Sequence, residues 1–338
     1  MRRRATILDV SSKNPDTIYH YTDFAGLSGI LEHRNLWATD MKYLNDAREI
    51  DFALKDVVEM FHEVAGELPA PTDEERELCI PDGVDPDFSD PYALNIPTKV
   101  AISGAIDIVE QMARPDDQSL PEGWRWGNGY VTCFTSRGDS LGQWRGYAGG
   151  DGFAIGFKRK ALSNIAVPAW DFKNGMVIDP GDQTKWFLAP SSPAIPVRYG
   201  TKAIHELIAG MREALLRDAL DRGGVMNIVD AATVYSNALL RCSASIKAKA
   251  FKSEKEWRII SLYTGTSPVI KFRRGIKAAG GVTPYIELPF SDDAVVEIVI
   301  GPGTASDLRE RAIWQLVSSV GYDTSKVKVR HSKIAYRE

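Results

Sequence analysis

The chain has 338 residues, 44% of them hydrophobic and 25% charged, with three cysteines and a formal net charge of −4. These values describe a globular chain long enough for one large domain or two ordinary ones. They exclude a disulfide scaffold, a CxxC metal pair and a bundle of membrane helices, since no run approaches the ~18 apolar residues that a span needs. The N-terminal MRRRATILDVSS has too short an apolar stretch for a signal peptide. A cytoplasmic protein with no membrane partner is the expectation.

The charge is unevenly spread. Asp40 to Asn128 holds 21 acidic and 7 basic residues, whereas Arg241 to Glu338 holds 17 basic and 10 acidic. This could supply a basic surface for an anionic partner such as nucleic acid or a nucleotide. Acidic and basic parts that face each other, or two solvated faces, account for it as well. That plainer reading is favoured because no helix or tail concentrates the charge.

In chain order, Ile18–Thr22 reads as a short strand. Phe24, Leu27, Ile30 and Leu31 follow at helical spacing, with Asp23 as N-cap. Leu36–Thr39 is extended, and Asp46 to about Leu68 is an amphipathic helix; Asn45 and Asp46 suit its N-cap. Pro69–Pro97 reads as an irregular insert, followed by a helix over Thr98–Ala113. Tyr130–Phe134 and Phe153–Phe157 are strands, approached by a turn at Gly149–Gly152. After a loop-rich Pro168–Pro196, helices are expected over Lys202–Arg222 and, capped by Asp230, from Ala231 to about Lys249. Strands follow at Trp257–Tyr263, Pro268–Phe272, Tyr285–Leu288 and Val295–Ile300. The last unit is a helix over Ser306–Val320, Gly321 as its C-cap residue, and a strand at Val327–His331. The expected fold class is α+β, a mixed sheet with helical inserts at about 50–128 and 160–250 of a single domain.

Three segments carry polar or aromatic residues that a plain core strand would not choose. In YHYT, His20 stands alone on a strand, where a packed or hydrogen-bonded imidazole is the commoner outcome. Gly26 and Gly29 in the following helix permit close approach of another segment. In the segment from Gly129 to Phe157, Phe134, Ser136, Ser140, Trp144 and Tyr147 surround a glycine-rich bend. Such aromatics form either core or a slot for a planar cationic ring. In KEWRIIS, Glu256, Arg258 and Ile260 share one strand face and Trp257, Ile259 and Ser261 the other. Lys255 and Arg258 offer Glu256 ion pairs, and Glu254 lies close by.

Together the three segments resemble the signature blocks of the ADP-ribosyltransferase fold, in its histidine–aromatic–glutamate branch, which includes the poly-ADP-ribose polymerases. The chain as a whole also resembles a bacterial family of unassigned function (domain of unknown function twenty-nine seventy-one), through YHYT, LNDAREI, CFTS, GFAIGF, EKEWRI and EIVIGPG. The first resemblance implies a split mixed sheet and NAD as substrate. His20 would hold a ribose hydroxyl, and the backbone of Tyr21 the nicotinamide carboxamide. Tyr147, helped by Trp144, would stack on the nicotinamide ring, and Glu256 would bind the 2′-hydroxyl of its ribose. Thr22, Phe134 and Ser136 complete the implied cofactor-binding set, and Glu256 with His20 the catalytic one. Tyr21 stands where the branch usually has glycine, and its middle aromatic falls near Phe134. The implied activity is transfer of ADP-ribose to a macromolecular acceptor, nucleic acid or protein, or hydrolysis of NAD. A bacterial toxin or anti-phage effector is the implied context. Glu256→Gln is expected to abolish the activity with little loss of fold.

Two other readings compete. One is a non-catalytic module that keeps the fold and binds nucleic acid through its basic C-terminal part. The other is a serine hydrolase, since Gly138-Asp139-Ser140-Leu141-Gly142 matches GxSxG after an apolar strand. Against it, no strong helix is expected after Ser140. Gly301-Pro302-Gly303 reads as an ordinary strand–helix turn, and no histidine–carboxylate spacing suggests a metal; His62 and Glu59 are expected to face solvent.

Overall fold

The computed structural model describes residues 14–44, 48–80, 94–113, 128–149, 152–162, 165, 169–171, 176–178, 191–263, 270–274, 281–303 and 306–335. The first half contains β1 (Thr17–Thr22), α1 (Phe24–His33), β2 (Asn35–Asp40), α2 (Arg48–Glu67), α3 (Asp73–Glu77), β3 (Asn95–Pro97), α4 (Thr98–Ala113), β4 (Asn128–Thr135), α5 (Leu141–Tyr147) and β5 (Phe153–Lys158). Next come β6 (Ala169–Asp171), β7 (Met176–Ile178), β8 (Ile195–Pro196), β9 (Arg198–Tyr199), α6 (Thr201–Arg222), β10 (Val225–Asn227), α7 (Ile228–Ala244) and β11 (Ile246–Lys247). The last part holds β12 (Glu256–Tyr263), β13 (Lys271–Arg274), β14 (Val282–Pro289), β15 (Val295–Ile300), α8 (Ser306–Ser319) and β16 (Lys328–His331).

The chain is α+β. Ten strands form a mixed central sheet in the order β13-β14-β2-β4-β1-β5-β15-β16, with β12 also on β4 and β8 on β12. Its pairings are antiparallel except β15 with β16, which α8 connects as a crossover. β5 is apolar almost throughout because, as an inner strand, it is buried on both faces.

One sheet face carries the main core. Ile18, Phe134, Ile155, Phe157, Trp257, Ile259, Ile286 and Ile298 pack there against Leu27, Ile30 and Leu31 of α1 and Ile313 and Val317 of α8. Phe134, Phe157 and Phe290 meet edge to face in a row, the arrangement that ring quadrupoles favour. α1 forms as its spacing dictates: Asp23 accepts a hydrogen bond from the Gly26 N–H at 2.8 Å. A Cβ at Gly26 would overlap the Thr22 hydroxyl, whereas Gly29 faces open space, so close packing requires only the first.

The opposite face is covered in two patches. α5 sets Trp144 and Ala148 on Tyr21, Ala154 and Val299. Further along, Leu240 and Ala244 of α7 cover Val131 and Ile260. Behind α7 lies a separate helical core of α2, α4, α6 and α7, which includes Phe61, Ile102, Leu215 and Tyr235. Both helical stretches expected as inserts contribute to it.

Several local expectations are corrected. α7 begins at Ile228, so Asp230 lies inside it, and it ends at Ala244 rather than near Lys249. A short strand and a 3-10 turn over Lys249–Glu254 follow instead. α3 interrupts the supposedly irregular insert, closed by a Thr72–Glu75 capping box. A seven-residue helix, α5, does follow Ser140 despite Gly142 and Gly146, because burial of Trp144 outweighs their weak propensity. β13 spans Lys271–Arg274 and so runs beyond the expected end at Phe272, while Pro268 and Val269 lie outside the described residues. The expectations for Asn45 and Asp46 and for the Gly150-Asp151 part of the turn lie outside the described residues.

Candidate functional site

The site sits where the sheet divides. β4 pairs with β12 over its whole length on one edge. On the other edge it meets β2 only at Asp40↔Tyr130 and Thr39↔Val131, and β1 only at Tyr19↔Thr135. Between these points β1 and β2 diverge, and residues 132–134 of β4 have no strand partner there among the described residues. β1 remains paired to β5 throughout. A cleft of about 230 Å³ opens at the gap, lined by residues that include His20, Tyr21, Cys133, Phe134, Tyr147 and Glu256. This is below the usual range of ligand pockets, ~300–1,000 Å³, and has room for a ring and a sugar rather than a whole dinucleotide.

His20 spans the gap. Its Nδ1 lies 2.9 Å from the Cys133 carbonyl oxygen, and its ring meets Phe134 edge-on at 5.9 Å. A carbonyl only accepts, so Nδ1 carries the proton and the neutral ring keeps Nε2 as an acceptor. Burial holds the imidazole pKa below its usual value; the Cys133 carbonyl opposes this, and the charge of Arg273 adds to it.

Glu256 opens β12 and is the centre of a buried ion cluster. Arg258 Nε lies 2.7 Å from Oε1 and Arg258 Nη2 lies 3.0 Å from Oε2. Lys247 Nζ is 3.2 Å from Oε2 and 2.9 Å from Glu254 Oε2. Glu256 and Arg258 meet because strand alternation sets both on one face, at a spacing of two residues. Arg258 also donates to the Ala244 carbonyl at 2.8 Å, which places a cation on the C-terminal end of α7. The Tyr199 hydroxyl accepts from the Glu256 N–H at 2.9 Å. Burial pushes the Glu256 carboxyl up, but Arg258, Lys247 and the Cys133 thiol more than offset it, and the group stays below the usual carboxylate range. The Cys133 thiol is raised by burial and then by Glu256.

Tyr147, at the end of α5, is 47% exposed and forms one wall. Burial of its hydroxyl end and the nearby Glu254 push it up to about 12. Of the residues singled out in the sequence, His20, Tyr21, Phe134, Tyr147 and Glu256 therefore converge on the cleft. Trp144, Thr22 and Ser136 do not line it. Trp144 is fully buried, stacks edge-on against Tyr21 at 4.6 Å, and donates from Nε1 to Asp139 at 2.8 Å. Thr22 packs over Gly26, and the Ser136 N–H bonds the Lys255 carbonyl. The Tyr21 hydroxyl fastens the turn beyond β4, donating to the Arg137 carbonyl at 2.8 Å and accepting from the Ser140 N–H at 3.1 Å.

Lys247, Tyr199, Cys133, Gln143 and Phe251 were not foreseen in the site. Lys247, not Lys255, supplies the second cation, and no local pattern links it to a carboxylate nine residues on. Asp139 binds the Ser332 hydroxyl and the Lys333 N–H as well as Trp144, and no described histidine is hydrogen-bonded to Ser140. A larger depression of about 720 Å³ lies along α8 alone, from Asp307 to Ser319, and shares no lining residue with the cleft. Among the described residues, no group of three or more His, Cys, Asp or Glu side chains is arranged to hold a metal ion. No described helix is long and apolar enough to cross a membrane.

Residues 143–259 match the model of a family described as a protein of unknown function (DUF2971). The matching segment runs from α5 into β12; it includes Tyr147, Lys247, Glu256 and Arg258 and leaves out His20. No curated protein and no solved structure matches the chain significantly.

Proposed function

We propose that the cleft binds the nicotinamide end of NAD, breaks its N-glycosidic bond, and passes ADP-ribose to a macromolecular acceptor, nucleic acid or protein, or to water. The observation that carries this reading is the meeting of His20 and Glu256, 236 positions apart in the chain, on either side of β4 in one cleft. Their environments suit the two tasks. A neutral imidazole presents an acceptor to a ribose hydroxyl. A carboxylate held ionised interacts more strongly with the oxocarbenium-like state of the breaking bond than with intact NAD, and only such a difference speeds the step. Tyr147 supplies the exposed ring for stacking. A split-sheet transferase fold and a role as a bacterial toxin or anti-phage effector form part of the same proposal.

A second reading rests on the ion cluster. Both Glu256 oxygens are already engaged by Arg258 and Lys247, as in a purely structural ion pair. A non-catalytic binding module would need nothing more of that residue.

The test is nicotinamide release from NAD, with and without RNA, DNA and cell extract. Wild type is compared with Glu256→Gln, His20→Asn and Tyr147→Ala, each first shown to be folded by near-UV circular dichroism. Release that falls at least a hundredfold in folded Glu256→Gln supports the transferase. Release from no mixture, with NAD failing to raise the melting temperature, leaves the binding module.

A further inference from the structure

The sheet face that holds the cleft continues outward over β2, β14 and β13. Residues paired directly across strands share a face. Glu256↔Thr135 and Arg258↔Cys133 therefore lie on the face of Val131↔Thr39, Thr39↔Tyr285 and Thr283↔Arg273. On this outer part Trp37 is 45% exposed and packs on Tyr285 with ring centroids 4.6 Å apart.

Arg273 stands on β13 but reaches back across β14. Its Nη2 donates to the Thr39 hydroxyl at 2.8 Å, and its guanidinium lies 5.4 Å from the centre of the Trp37 ring. Its charge is felt at His20. The guanidinium thus stands over β2, on the β2 side of the gap and on the sheet face of Glu256. The cations that line the cleft are balanced, since Lys247 and Arg258 meet Glu254 and Glu256, and the neighbouring Lys271 meets Glu287 at 2.8 Å. Arg273 meets no carboxylate among the described residues. This side of the gap therefore carries a partly desolvated positive charge that no carboxylate among the described residues neutralises. A planar guanidinium with unspent N–H groups is suited to bidentate recognition of a phosphate.

We propose that Arg273 and Trp37 form the outer half of the ligand site, where Arg273 binds the pyrophosphate of a dinucleotide and Trp37 supports its outer nucleoside. This rests on the function proposed above and assigns the part of the ligand that the 230 Å³ cleft is too small to hold. The inner half keeps the ring and sugar, and the phosphates leave past His20 over β2.

The test separates this inference from the activity. ADP and inorganic pyrophosphate are titrated calorimetrically into the full chain at fixed salt, with wild type, Arg273→Gln, Arg273→Lys and Trp37→Ala. The three variants are first required to share the urea midpoint of wild type within error. The expected result is that Arg273→Gln weakens both ligands roughly tenfold or more, that Arg273→Lys restores only part of the loss, and that Trp37→Ala weakens ADP but not pyrophosphate. Equal affinities in wild type and Arg273→Gln, or no binding of either ligand to wild type, would overturn it. Arg273-dependent binding in a protein that never releases nicotinamide would keep this site and remove the proposed reaction. Nicotinamide release with an unchanged KM for NAD in Arg273→Gln would remove this site and keep the reaction.

Discussion

Glu256→Gln is a test of stability before it is a test of catalysis. The carboxylate and its partner Arg258 are 7% and 3% exposed, and three charge-assisted hydrogen bonds of 2.7, 3.0 and 3.2 Å converge on the two oxygens. Glutamine keeps the shape but removes the charge, and its amide nitrogen turns a donor toward donors. Removing one member of a buried pair costs ~3–5 kcal/mol, and the surviving carbonyl retains part of one bond, so a loss of about 3 kcal/mol is expected. The pH dependence follows from the direction of the shift. The folded carboxyl lies below its ordinary value, so its stabilisation is complete above the unfolded pKa of about 4.5. It is lost as pH falls through the lower, folded value. Urea unfolding of wild type and variant should therefore differ by about 3 kcal/mol between pH 6 and 8, and the difference should shrink steadily as pH falls below about 4.5, with similar m-values. A difference under about 0.5 kcal/mol at pH 7, or one that persists unchanged at pH 3.5, would refute the ion-cluster account. The expectation from the sequence that this substitution costs the fold little stands against that loss, and the urea comparison decides between them.

Other outcomes follow from groups outside the cleft. Asp40 is 2% exposed, and burial raises its carboxyl to about 6 despite the Lys42 N–H. A raised acid destabilises the fold as pH climbs from its unfolded value through 6, so Asp40→Asn should gain about 1–3 kcal/mol at pH 7.5 and nothing at pH 4 by thermal unfolding. Trp144→Ala empties a fully buried site and strips a donor from Asp139; a loss of about 3–5 kcal/mol in urea is expected, and one below about 1 kcal/mol would show that α5 is only loosely docked. Asp23→Ala removes the N-cap of α1 and should cost about 1 kcal/mol, whereas Asp23→Asn should be nearly neutral.

The sequence displayed the pieces of the site better than their arrangement. β1, β4, β5 and β12 were legible as short runs rich in aromatic, β-branched and apolar residues bounded by turn residues, and α1 because Asp23 precedes a clean apolar stripe. The division of Glu256, Arg258 and Ile260 from Trp257 and Ile259 was readable for the same reason. Trp144 was not placed by its surroundings in the chain, since an aromatic among glycines fits a slot as well as a core; only the packing of α5 on β1 and β5 decides for the core. Lys247 and Tyr199 were invisible as partners because nothing local joins them to Glu256. They arrive through β11, which pairs in parallel with β9. Helix ends set by tertiary capping, such as that of α7 at Ala244 under Arg258, leave no local signal.

The helical core behind α7 gathers chain from Val57–Ile106 and from Ile204–Ile246. Contacts at such separations pay a loop-closure cost before they return any stabilisation, so they form late. Lys247 and the Ala244 carbonyl, which hold the charges of the cleft in place, hang from this late unit, and β12 is made after it on the ribosome. A nascent chain therefore carries the His20 strand for more than two hundred residues of synthesis before a cleft exists. Whatever chemistry the cleft performs is withheld from the cell until the chain has left the tunnel as far as β12 and the two distant helical stretches have found each other.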